Sequence, residues 1–234
     1  MTKIFFYIKL RRNKRTLKTK EEKDMRIGPS TRWMYASGLY LLNEQEKILR
    51  AVKTSSVEII LDAWEGARIN SLRNGKAFDV AGLSYRSLHL PGLVYTLETK
   101  DHVATARQLV DSHRMDTVLI HPTKVNGDYP VDFYEELVSN GVPLAIENMD
   151  KNKDSGFDIN ELEGLVKSID LGFVLDVQHA YEHDITMQYA NDLFEVSIHH
   201  LLHLHVSGET ANSNHSLVHK SRNAMEFLKK ELGR

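Results

Sequence analysis

Seven short apolar runs recur along the chain about every 26 to 33 residues, and this spacing narrows the available folds more than any other feature. Strands lying parallel in one sheet need a crossover of about a dozen residues or more, and a helix usually fills it. The runs are residues 25–29, 57–61, 84–90, 117–120, 143–146, 172–175 and 201–206. Stretches with helical spacing lie between and after them, at 43–53, 100–113, 132–139, 159–167, 187–196 and 223–232. In the second of these Val103, Ala106, Leu109 and Val110 share one face. Asn140-Gly141 is a suitable stop for the third. Only the segment after Leu61 reads as a polar, glycine-containing loop, carrying Arg68 and Arg73.

The expected class is therefore α/β, with a parallel sheet and helices outside it. Seven βα units starting at Met25 fit a (β/α)8 TIM-like barrel better than a doubly wound sheet. No G-x-G-x-x-G turn occurs anywhere to open a dinucleotide-binding sheet. The eighth strand is missing or replaced: an open barrel, an N-terminal segment filling the gap, and a truncated sequence are the three options. Residues 1–24 read as a basic tail or extension, although residues 2–9 are apolar enough for an extra strand, and 25–234 read as the barrel.

In such a barrel the chemistry sits at the C-terminal ends of the strands. His89 follows the third run, His121 the fourth, Glu147 the fifth and Asp176 the sixth, while His205 lies near the end of the seventh. The sixth is the most explicit, since apolar Phe173-Val174-Leu175 delivers Asp176, and His179 comes three positions later on the loop beyond. Period-two alternation puts His203 and His205 on one face of the last strand, with His205 nearer the mouth. His102, His113, His183, His199, His200 and His219 read as helix-face or surface residues.

The chain has no cysteine, so thiolate sites and disulfides are ruled out and His, Asp and Glu remain as strong metal ligands. Two carboxylates with several imidazoles suit Zn²⁺, Mn²⁺, Fe²⁺ or Co²⁺ better than Ca²⁺. The cysteine count also fits a reducing compartment, the cytoplasm. A net charge of -2 gives no general attraction to nucleic acid or anionic membrane. No apolar run reaches the ~20 residues of a membrane-spanning helix.

Assembled, these residues resemble the xylose isomerase-like TIM-barrel superfamily, which includes sugar phosphate isomerases and epimerases and endonuclease IV (AP endonuclease family 2). The resemblance covers about residues 25–219. It rests on His89-Leu90-Pro91, His121-Pro122, Ile146-Glu147-Asn148, Leu175-Asp176-Val177-Gln178-His179-Ala180 and Leu204-His205-Val206-Ser207. In the sugar branch it implies one divalent ion on Glu147, Asp176 and His205, with Glu147 also moving a proton beside the metal-held carbonyl. That branch uses a further strand-eight glutamate, and none is visible here. In the endonuclease branch it implies three zinc ions on His89, His121, Glu147, Asp176, His179, His205 and His215. There the aspartate expected two residues before His215 is replaced by Ser213.

The leading expectation is a metal-dependent isomerase or epimerase of a small sugar or sugar phosphate. Glu147 and His179 are its catalytic candidates, and His89, His121, Trp64 and Arg68 its substrate contacts. A zinc-dependent AP endonuclease is the alternative, in which case nucleic acid becomes the partner. A barrel that binds metal or sugar without turnover is the third possibility.

Overall fold

The computed structural model describes residues 6–9, 26–32, 34, 38–39, 42–74, 82–92, 99–210, 213–216 and 222–232. Its elements are β1 (Phe6–Lys9), β2 (Arg26–Pro29), α1 (Leu42–Ala51), β3 (Ser56–Ile60), α2 (Ala67–Asn74), β4 (Tyr85–His89), α3 (Thr99–His113) and β5 (Thr117–Ile120). They continue with α4 (Val131–Ser139), β6 (Leu144–Glu147), α5 (Ile159–Ile169), β7 (Gly172–Asp176), α6 (Val177–His183), α7 (Gln188–Ser197) and β8 (Leu201–Val206). A small hairpin of β9 (Gly208–Thr210) and β10 (Ser213–Ser216) and a last helix α8 (Arg222–Leu232) complete the set.

Eight strands form one sheet in the order β2-β1-β8-β7-β6-β5-β4-β3. From β3 to β8 every pairing is parallel. The two ends of the sheet meet where Ser30 bridges Glu58 in parallel and the Thr31 amide donates to the Glu58 carbonyl at 2.8 Å. Thr31 Oγ1 then accepts from the Ile60 amide at 3.0 Å. The architecture is the expected α/β barrel, and the eighth position is filled rather than empty.

The filling strand is β1, antiparallel to both β2 and β8. The tail assigned to residues 1–24 is thus corrected at residues 6–9, which satisfy the backbone groups that β2 and β8 would otherwise leave unpaired. Residues 10–25 lie outside the described set.

Alternation sorts the strand residues into two environments. Val57, Ile59, Leu88, Val118, Ile120, Ile146, Phe173, Leu175, Leu204 and Val206 face outward and join the helices in the main core. Leu119, Ala145 and Val174 form a small apolar layer on the other face, inside the barrel. Each fully buried aliphatic side chain contributes on the order of 1.5–3 kcal/mol, so the outward set fixes the register. The inward positions nearer the mouth are then left for polar residues.

Two helices depart from the expectations. The polar loop carrying Arg68 and Arg73 contains α2, whose face is narrow: Ile69 and Leu72, three apart, are its core contacts. α6 begins directly after β7, because Asp176 Oδ1 accepts from the Gln178 and His179 amides at 2.8 and 2.9 Å. A carboxylate in that position is a helix N-cap, so His179 sits on the first turn of a helix rather than on a loop. At the end of α4, Gly141 takes the left-handed conformation (φ 76), as expected for the Asn140-Gly141 stop.

Candidate functional site

Six of the expected residues meet at the mouth: His89, His121, Glu147, Asp176, His179 and His205 all line one cleft that is open to solvent. Glu58, Arg32, Asp150 and Lys153 line it too. Glu147 is central. Its Oε1 is 2.8 Å from His121 Nε2 and 3.6 Å from His89 Nε2, and its Oε2 is 2.8 Å from His205 Nδ1. Asp176 Oδ2 lies 3.8 Å from the same His205 nitrogen and 3.7 Å from His179 Nδ1.

Two imidazoles have their tautomers set by the backbone. His89 Nδ1 bonds the Leu90 carbonyl at 2.9 Å, and His179 Nδ1 the Asn148 carbonyl at 2.8 Å. A carbonyl can only accept, so both Nδ1 atoms carry a proton, and in the neutral rings both Nε2 atoms hold the lone pair. Metal-ligating histidines are commonly held in this way. By contrast, His113 is buried with Nε2 on the Leu72 carbonyl, and His183 and His200, which are not among the described residues lining the cleft, bond the Met149 and Leu171 carbonyls.

Asn148 ties β6 to β7. Its amide donates to the Asp176 carbonyl at 3.0 Å and accepts from the Asp176 amide at 2.8 Å, fully buried. Replacing it with alanine leaves both groups of Asp176 unpaired, at about 1–3 kcal/mol each. Asn148→Ala is expected to cost about 2–4 kcal/mol in urea unfolding; a loss under about 0.5 kcal/mol would show the pairing to be dispensable.

The electrostatics favour a cation. Burial works to raise the Glu147 pKa, but His205, His121 and His89 overcome it and hold the carboxyl well below its ordinary range. Burial likewise opposes a charge on His205, yet Glu58 and Glu147 raise its pKa well above the usual value. His121 goes the other way, because burial lowers its pKa and its bond to Glu147 only partly compensates. Without a metal, a protonated His205 therefore supplies the positive charge that these buried carboxylates require.

The donors also fit an ion. Atoms of Glu147, Asp176 and His205 lie within 4.8 Å of one another, as do those of His89, His121 and Glu147. Among the described residues no hydrogen bond of normal geometry reaches Glu147 Oε2 despite its 2.8 Å approach to His205 Nδ1, so both atoms face shared space. Ligands about 2.1 Å from one ion sit roughly 3–4 Å apart. The observed 3.8 Å lies in that range, and the 2.8 Å needs only a small movement to reach it.

One candidate is not brought in, and two have side chains that are not described. Trp64 stacks on His102 with ring centroids 4.2 Å apart and is not among the described residues lining the cleft. Arg68 and His215 lie on the backbones of α2 and β10, and their side chains fall outside the described set.

Glu58 is the residue the sequence reading missed. It is buried on β3, with Oε2 2.8 Å from His205 Nε2 and 3.9 Å from His203 Nε2. An available signal was a lone acid among Val57, Ile59 and Ile60, on the face opposite the outward pair.

No protein-family model and no curated protein matches the sequence. Solved structures do. A D-psicose 3-epimerase crystallised in the presence of D-fructose is 10% identical, covers 88% of this chain and 99% of its own, and has a TM-score of 0.52. The D-psicose 3-epimerase of Clostridium cellulolyticum H10, with D-tagatose, is 13% identical over 74% of this chain and 70% of its own, with a TM-score of 0.49. A xylose isomerase domain containing protein from Salmonella typhimurium LT2 is 14% identical over 69% of this chain, with a TM-score of 0.48. The alignment spans 64% of that protein's length. Identities this low speak to the fold alone.

Proposed function

We propose that this chain, a barrel of xylose isomerase-like fold, is a divalent-metal-dependent isomerase or epimerase of a small sugar or sugar phosphate. The observation that carries the reading is the convergence of Glu147, Asp176 and His205 at the open end of the strands. These three would hold the ion, whether Zn²⁺, Mn²⁺, Fe²⁺ or Co²⁺, and leave positions for substrate oxygens. When bound, the ion would polarise a substrate carbonyl and acidify the neighbouring C–H.

Glu147 can serve two tasks because its oxygens face different ways. Oε2 lies on the Asp176 and His205 side, and Oε1 is free of that side and next to His121. Oε1 is the proton acceptor in this reading. His121, disfavoured as a cation by burial, donates its Nε2 hydrogen to Oε1 across 2.8 Å and, being partly exposed, keeps that oxygen within reach of solvent for exchange. His179, fixed through Nδ1, presents Nε2 to a substrate oxygen, and His89 does the same from the opposite strand. Arg32 and Lys153 on the cleft lining give a phosphate on the substrate something to pair with.

A second reading has one observation behind it. The His89, His121 and Glu147 group offers donors for a further ion, as a metal phosphodiesterase such as an AP endonuclease requires.

The test is incubation with a panel of ketoses and Mn²⁺ in deuterated water. Carbon-bound deuterium, abolished by chelator, is the expected result. No exchange, together with chelator-sensitive nicking of an abasic oligonucleotide, would replace the first reading with the second. A folded preparation that takes up no metal would sink both and leave a non-catalytic barrel.

A further inference from the structure

We infer that Glu58 is the positioning residue that aims His205 at the metal site, holding the Nε2 proton so that the Nδ1 lone pair faces Glu147 and Asp176. The inference rests on the metal-centre reading above, but it concerns a residue that reading does not use. An imidazole can present either nitrogen, and the wrong tautomer gives the ion an N–H instead of a lone pair. At His205 the choice is made from across the barrel. Nε2 lies 2.8 Å from Glu58 Oε2 and forms the ring's hydrogen bond among the described residues. Nδ1 then lies 2.8 Å from Glu147 Oε2 and 3.8 Å from Asp176 Oδ2, on the side of the ring where the ion would be held.

Glu58 is itself held on two sides. Its backbone is the seam of the barrel, bridged to Ser30 and accepting from the Thr31 amide at 2.8 Å. Behind its carboxylate stands a buried polar string: His203 Nε2 at 3.9 Å, then Tyr85 hydroxyl 3.3 Å from His203 Nδ1, with Tyr85 bonded in turn to Thr117. All four side chains are almost completely buried. Val57 and Ile59, on the outward face, lock the strand against rotation. A carboxylate placed this rigidly can orient a ring without touching the substrate.

The test uses Co²⁺ titration of the full chain, followed by its visible absorption, together with ¹⁵N spectra of His205. In metal-free protein at alkaline pH, Glu58→Gln and the wild type should both show the His205 proton on Nε2, because the glutamine oxygen still accepts. Glu58→Met, which keeps the volume and loses the acceptor, should show a mixture of tautomers. Cobalt affinity should fall about 10–100-fold in Glu58→Gln and further in Glu58→Met. The bound cobalt spectrum should also change in Glu58→Met, which a merely structural role would not produce. A wild-type proton on Nδ1, or affinity unchanged in both folded variants, overturns the inference. If Glu58→Met does not fold, Glu58→Gln and the wild-type tautomer decide alone. Failure of the wild type to bind cobalt counts against the metal-centre reading, while the tautomer still reports on Glu58.

Discussion

Glu147→Gln is expected to lower metal affinity by at least 100-fold and turnover by about 10²–10⁴-fold, the range lost when a positioned proton acceptor is removed. Shape is nearly conserved, so the barrel should remain. What changes is the charge: Glu147 meets His121, His89 and His205 through its two oxygens, at 2.8, 3.6 and 2.8 Å. An amide donates as well as accepts, so one of those contacts must turn repulsive or break. Metal titration and deuterium exchange into ketose, run on one preparation, separate the two tasks of the side chain. Exchange lost with affinity intact would assign Glu147 to proton transfer alone. Affinity within about threefold of wild type, with exchange also intact, would remove Glu147 from both roles.

Gly28→Ala is expected to cost about 3 kcal/mol or more and to open the barrel seam. A Cβ at residue 28 would lie 2.0 Å from the Ser56 carbonyl oxygen and 2.4 Å from its carbonyl carbon. Backbone atoms cannot rotate aside as a side chain can, so β2 must move away from β3. That movement strains the Ser30 to Glu58 bridge and the Thr31 to Glu58 bond. Since Glu58 is two residues from Ser56, the damage should reach His205 as well. Urea unfolding measures the loss, and cobalt affinity of the folded remainder measures the coupling. A variant as stable as wild type would mean that the seam is not a close backbone contact.

Much of this was legible in the sequence. Residues 117–120 and 201–206 were delimited as strands with the bounds of β5 and β8. The recurring apolar runs indicated a parallel barrel, and the residues ending them indicated its mouth. Such signals are local: alternation with period two or 3.6 records which side of an element is buried, whatever it is buried against. Where the local signal was weak the reading failed. Among the described side chains α2 offers Ile69 and Leu72 to the core, and the four residues of β1 are too few for a period-two pattern to mark a strand.

What sequence alone determined, then, is the succession of parallel strands and the side chains at or just past their ends. The tertiary structure alone decided how the ring closes and what meets across it. β1 entered antiparallel in place of an eighth parallel strand because unpaired strand edges need partners, and no periodicity specifies which segment supplies them. Glu58 and His205 are separated by 147 positions, yet share a hydrogen bond. That contact exists only because closure brings opposite walls of the barrel within a side chain's reach, where a buried imidazole and a buried carboxylate each need the other.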